Sequence, residues 1–131
     1  MKFDTVFGIH ERALQIRARR AELLAANLAN ADTPGYKARD IDFRRLLQGQ
    51  MQPAVQLAAT RPGHVAPPVG PVPAQAVQYR VPQQPSLDGN TVEAEREQVE
   101  YSANAVRYQA SLRFLDGTIR TLKTAIKGTA Q

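Results

Sequence analysis

From residue 101 to residue 126 apolar side chains recur without a break. Tyr101, Ala105, Tyr108, Leu112, Leu115, Ile119, Leu122 and Ile126 follow one another at alternating spacings of four and three. A seam of that period belongs to a helix that packs against other helices along its length. Val99, Ala103, Val106 and Ala110 form a second stripe on another side. Glu93, Glu95, Glu97 and Glu100 crowd one end, and Arg120, Lys123 and Lys127 the other. Each group complements the local pole of the helix dipole. Asn90 with Glu93 reads as a capping box in which Asn replaces the usual Ser or Thr. The pattern predicts a helix over 90–127, roughly 57 Å long.

Residues 5–31 carry a second helical pattern, again with two stripes. One is Leu14, Ala18, Ala21, Ala25 and Leu28; the other is Ile9, Ala13, Ile16 and Leu23. Asp4 is placed to cap its start. Its end is fixed by Pro34, which disfavours helical geometry at Thr33. Pro34-Gly35 suits the two central positions of a type II turn, where Gly supplies the positive φ. The predicted rod is roughly 40 Å long.

Between the helices, residues 48–87 hold eight of the nine prolines and only two charged residues, Arg61 and Arg80. Proline breaks helices and cannot donate to a strand ladder. This stretch is therefore an extended linker or a loop ordered by its neighbours. The expected organisation is an N-terminal helical segment (1–33), a turn and extended segment (34–47), the proline-rich segment (48–87) and a C-terminal helical segment (88–131). The fold class is mainly α.

Helices that are apolar on more than one side must be surrounded. The middle segment has too few large apolar residues to do this, so the missing partners are other chains. The pattern is that of a subunit in an assembly.

Composition sharpens this picture mostly by exclusion. Of 131 residues 43% are hydrophobic but only 6% aromatic, and tryptophan and cysteine are absent. Disulfides, thiolate chemistry and cysteine zinc sites are thereby ruled out. The apolar runs fall far short of the ~20 residues that span a bilayer. The first twenty residues include Asp4 and Glu11 and lack the apolar core of a cleaved secretory signal.

A net charge of +5 and a pI near 10.0 invite a nucleic-acid reading. Its distribution argues against one. Lys and Arg outnumber Asp and Glu by nine to six in residues 1–47 and by two to none in 48–87, and they balance at six each in 88–131. The one dense cluster, Arg17-Ala18-Arg19-Arg20, reads as a solvated helix face.

Reactive constellations are missing as well. His10 and His64 have no partner at ligand or dyad spacing. Asp40 and Asp42 fall on one side of an extended segment and read as solvated or salt-bridged acids. No glycine-rich phosphate loop is present. No catalytic, cofactor-binding or metal-binding residue is expected, and no small-molecule substrate. The chain does not read as an enzyme.

Two stretches carry a resemblance to a known family. ANLANADTPGYKARDIDF, residues 26–43, is similar to the N-terminal signature of the bacterial flagellar rod and hook family: a helix end bearing Asn27 and Asn30, then Thr33-Pro34-Gly35-Tyr36. The ARDIDF continuation points, within that family, to its proximal rod subunits. YRVPQQPSLDGNTVEAEREQVEYSANAVRYQASL, residues 79–112, resembles the C-terminal half of the same subunits. The resemblance covers nearly the whole chain; the middle segment departs from it by being richer in proline.

The resemblance implies that the terminal helices pair as a coiled coil and stack around a central channel. The assembly interface would be Leu14, Ala21 and Leu28 with the seam from Tyr101 to Ile126. It implies a structural subunit of the flagellar proximal rod in the periplasm, exported by the flagellar type III apparatus without signal cleavage. Implied partners are further copies, other rod subunits, the rod–MS-ring junction protein, the MS ring and the export gate. Early rod and hook subunits carry a Phe-x-x-x-apolar motif that docks on that gate, and Phe43-Arg44-Arg45-Leu46-Leu47 fits with Phe43 and Leu47 as anchors. Two other readings stand beside this one: a basic helical nucleic-acid-binding protein, and another axial component. The second would normally carry a folded outer domain, for which the middle segment leaves no room.

Overall fold

The computed structural model describes residues 3–51, 72 and 76–128. Most of the predicted proline-rich segment, with His64 and Arg61, lies outside the described residues. Two long helices pack against each other, as the periodicity requires. Helix α1 spans Phe3–Ala29 and helix α3, named by its place in the chain, spans Ala94–Lys127. Between them come strand β1 (Arg39–Ile41), helix α2 (Phe43–Met51) and strand β2 (Val77–Tyr79). The helices run antiparallel: Asn27 meets Glu97, Arg20 meets Glu100, and Arg17 meets Ser111.

Helix α1 buries the stripe that contains Ala13, Ile16 and Leu23, together with Leu24. Of the other stripe, Leu14, Ala21 and Leu28 are half-buried, while Ala18 and Ala25 face outward. Ile16, Leu23 and Ile41 form a small core, against which Phe43, Leu46, Leu47, Val72 and Val77 pack. Phe43, Leu46 and Leu47 share one face of α2, at the three- and four-residue spacing of a helix.

Four local expectations need correction. Asp4 is inside α1, whose first residue is Phe3. The segment after the turn stays extended only through Ile41; it then turns helical at Phe43, because Asp42 caps α2 by accepting the Arg45 N–H at 3.1 Å. Residues 48–51 complete α2 and 77–79 form β2, so these ends of the predicted linker are regular structure. Helix α3 starts at Ala94, and Asn90 does not cap it. Asn90 instead closes α1: its amide donates to the carbonyls of Asn30, Ala31 and Thr33 at 3.2, 2.7 and 2.9 Å. Those carbonyls belong to the turn just past α1, where Asn30 O and Thr33 O also accept the N–H groups of Thr33 and Tyr36, and a buried amide from the far side of the chain gathers them.

The hard stop at Pro34-Gly35 is a turn of the expected kind. Tyr36 N–H donates to Thr33 O at 3.3 Å, and Gly35 has φ +72°. The chain leaves this turn as β1, which pairs antiparallel with β2: Arg39 opposite Tyr79, Asp40 opposite Gln78, Ile41 opposite Val77. The short ribbon packs on α1 and reaches α3 through Arg80, so four distant segments meet in one place.

Candidate functional site

That meeting place is ionic. Arg20 from α1 grips Asp40 of β1 through two bonds, Nε to Oδ1 at 2.8 Å and Nη2 to Oδ2 at 2.9 Å, and its Nη2 also reaches Glu100 of α3 at 2.9 Å. Arg80, just past β2, donates to Asp40 Oδ2 at 2.5 Å and pairs with Glu97 of α3. Glu97 is 1% exposed. Its other oxygen accepts from Asn27 at 3.1 Å. Asn27 in turn clamps the β1 backbone, accepting the Arg39 N–H at 3.0 Å and donating to Arg39 O at 2.8 Å. Three carboxylates and two guanidiniums thus lock α1, the ribbon and α3 together, with one buried amide reading the strand's register.

The environment splits the carboxyls. Burial works to raise Asp40, but the hydrogen bonds from Arg20 and Arg80 outweigh it and hold the group below its usual range. The same bond from Arg20 to Asp40 raises the guanidinium's own pKa. Glu97 goes the other way: burial raises it, and the Asn27 bond and the Arg80 charge offset this only in part.

The two shifts have opposite signs in a pH titration. Stability from Asp40 is present above its ordinary 3.8 and is lost as pH falls through its lowered folded value. The Glu97 contribution is present below its ordinary 4.5 and is lost as pH rises through its raised folded value. Glu97→Gln is therefore expected to remove the fall in stability that sets in as pH rises above 4.5, while keeping the acid limb set by Asp40. Melting curves at several pH values check this; an unchanged neutral-side slope would count against it.

Sequence reasoning saw only part of this site. Asn27 stands out in the sequence for its place in the helix-end signature, and Asp40 only as a solvated or salt-bridged acid. Glu97 was assigned to helix polarity alone, and the roles of Arg20 and Arg80 were missed. Arg80 did leave a trace, as one of two charges in a long uncharged stretch.

The remaining signature residues serve the turn. Asn30 donates to Ala26 O at 2.8 Å, Thr33 bonds Asn30, and Tyr36 O accepts the Thr91 N–H at 3.0 Å. The Arg17–Arg20 cluster is engaged inside the molecule: Arg19 pairs with Glu22, and the Arg17 guanidinium lies 4.0 Å above the Phe43 ring. Phe43 and Leu47 are half-buried on the core.

The apolar seam of α3 flanks the line along which α1 packs. Glu97, Asn104 and Ser111, seven residues apart, hydrogen-bond to α1, as does Glu100 through Arg20. On the seam itself Tyr108, Leu115 and Leu122 are half-buried, while Tyr101, Ala105, Leu112, Ile119 and Ile126 are exposed. Leu112 and Ile119 remain 43% and 45% exposed, and Ile126 78%. The polar lane is used within the chain because its groups find hydrogen-bond partners there, and much of the greasy lane is left open.

Among the described residues no group of His, Asp and Glu is arranged to hold a metal ion. No described helix is long and apolar enough to cross a membrane.

Comparison with known proteins places this arrangement. Residues 7–37 match the family model described as flagella basal body rod protein. The chain is 43% identical over 132 residues to the flagellar basal body rod protein FlgB of Escherichia coli (strain K12), covering 96% of each. It is 46% identical to that of Aeromonas hydrophila, over 98% of this chain and 97% of the relative. It is 47% identical over 126 residues to that of Cereibacter sphaeroides (strain ATCC 17029 / ATH 2.4.9), covering 96% of this chain and 97% of the relative. Matched end to end at these identities, the chain belongs to the flagellar basal body rod protein FlgB family.

Proposed function

We propose that this structural, non-enzymatic component of the basal body rod assembles helically around the export channel as a subunit of the proximal rod and helps carry torque along it. The observation that supports this is the open half of the α3 seam. A pair of helices up to roughly 50 Å long, with an apolar lane left in solvent, is a part designed to be packed on by neighbours. Those neighbours are further copies, other rod subunits, the rod–MS-ring junction protein and the MS ring. The turn at Pro34-Gly35 ends α1 at a fixed length and returns the chain along that helix as β1, whose Ile41 packs on Ile16 and Leu23. A strain lacking the chain should be non-motile, with basal bodies arrested before the rod, and the chain supplied in trans should restore both. Complete rods in that strain would defeat the proposal.

The route to the rod is type III export without signal cleavage, with Phe43 and Leu47 as anchors on the export gate. In the folded chain both side chains pack on the core, so gate docking belongs to the unfolded stage. Phe43→Ala removes a contact worth ~2 kcal/mol if buried. The variant is expected to accumulate in the cytoplasm and hold back later subunits. Fractionation separates the alternatives: wild-type levels outside the cytoplasm would leave Phe43 with a packing role only.

A further inference from the structure

The face that carries Phe43 also carries a charge imbalance. A groove of about 1040 Å³ opens between α1, the start of α2, the end of β2 and α3. Arg20 and Arg80 in its wall are neutralised by Asp40, Glu97 and Glu100. Arg17, Arg44 and Arg107 also line it, and none of them meets a carboxylate among the described residues. Arg17 has only the Ser111 hydroxyl, at 3.2 Å, and the Phe43 ring. Asp42, also in the lining, faces the α2 backbone as its cap. Burial first, and then repulsion from Arg107 and Arg20, keep the Arg17 guanidinium below its ordinary pKa. A concave site with crowded cations focuses a positive potential and is relieved by an anionic partner.

The complementary charges are on the same chain but out of its own reach. Most exposed carboxylates are engaged: Glu22 by Arg19, Glu93 by Arg96, Asp116 by Arg120, Asp88 by Ser86. Asp32 and Glu95 are exposed and have no partner among the described residues. Both sit at the turn end of the helix pair, one just past α1 and the other in the first turn of α3, where Asn90 ties the two together. Along α1 that end lies roughly 20 Å from Arg17. The ionic lock fixes this separation, so no internal motion short of unfolding brings acids and groove together. A second molecule displaced along the axis can do so.

We propose that the turn end of one copy, carrying Asp32 and Glu95, docks in the Arg17–Arg44–Arg107 groove of the next copy. The two surfaces are different patches, so the contact is heterologous and propagates as an open helical array rather than closing into a dimer. This rests on the rod-subunit reading and names a contact within it. Exposed residues at both poles supply the steering and register, and the apolar seam supplies the packing.

Charge reversal tests it. Glu95→Lys and Arg107→Glu, each alone in a strain lacking the chain, are expected to abolish swimming, because every interface then sets one like-charged pair in place of an attractive one. The two substitutions in one chain restore an opposite pair at every interface, and swimming should return. Both side chains are exposed, so the purified variants should keep wild-type helicity.

A second measurement uses milder changes and exploits the absence of cysteine. Glu95→Cys and Arg107→Cys copies, differently tagged and co-expressed, should give a mixed dimer when basal bodies are treated with a bismaleimide. Swimming by either single reversal, a double variant no better than the worse single, or cross-links only to other proteins would each overturn the docking. If the wild-type chain restores motility while the swap fails, only the docking falls. If the deletion strain itself swims, the rod reading falls first.

Discussion

Asp40→Ala is expected to cost the isolated chain about 3 kcal/mol of folding stability. Among the described residues the carboxylate is the one group that pairs with both Arg20 and Arg80, whose side chains are 12% and 10% exposed. Deleting it leaves two guanidiniums facing each other with their desolvation compensated only by buried Glu97 on Arg80 and by the more exposed Glu100 on Arg20. Removing one member of a buried ion pair costs ~3–5 kcal/mol, and the 21% exposure of Asp40 argues for the lower end. Against a typical total of ~5–15 kcal/mol that is a large share. The apolar core is small, since among the described residues only Ala13, Ile16, Leu23, Leu24, Ala38 and Ile41 are buried in it.

Asp40→Asn keeps the shape and one acceptor oxygen but loses the charge, and should fall between wild type and alanine. Urea is the appropriate denaturant, because guanidinium salt would screen the interaction under study. A midpoint for Asp40→Ala within experimental error of wild type would show that the ionic lock contributes nothing net. The substitution should also loosen the ribbon selectively. The Arg80 N–H bond to Ala38 O, 2.9 Å in the folded chain, would then exchange faster than the bonds inside α3.

How far the sequence could lead here depends on the range of the interaction. Helices α1 and α3 were legible because period and burial are local: Ala13, Ile16 and Leu23 recur on one face and are buried together. The Pro34-Gly35 turn was legible because two residues dictate it. Where a local rule met a distant competitor, the distant one won. Asn90 and Glu93 have capping-box spacing, yet Asn90 is 60 residues from Asn30 in sequence and bonds to its carbonyl. Phe43 follows an alternating string, yet Asp42 nucleates a helix there. Glu97 complements the dipole as expected of an acid in a first turn, and it is also the buried end of a network in which its two bonding partners, Arg80 and Asn27, lie 17 and 70 residues away. Nothing in the period of any one segment encodes such a convergence. The period of the α3 seam marks a helix, but periodicity alone does not say which lane a helix shows to its own chain. That is decided by which polar groups find partners, and here Asn27, Arg17 and Arg80 claim the polar lane.

Leu115→Asp is expected to leave the chain exported and helical but to abolish rod assembly. Leu115 lies mid-seam, half-buried at the edge of the α1 contact, between Leu112 and Ile119, which are both largely open. In the free chain a carboxylate there can turn to solvent, so the loss of folding stability is modest. In the rod as proposed, neighbouring subunits cover the seam, and an unpaired carboxylate must be desolvated or protonated at a cost of several kcal/mol. At ~1.4 kcal/mol per decade, a penalty of about 3 kcal/mol lowers the equilibrium for adding each subunit roughly a hundredfold. Because growth repeats that step, a partial defect at one contact becomes complete failure of the structure. Arg113→Asp, a charge change of the same helix at an exposed position off the seam, is the control and should swim. Secretion assays, swimming rings and micrographs of isolated basal bodies give the three readouts. The expected pattern for Leu115→Asp is normal secretion, no rings and no rods. Normal swimming would mean that the seam stays in water in the assembled rod and that some other face of α3 holds the subunits together.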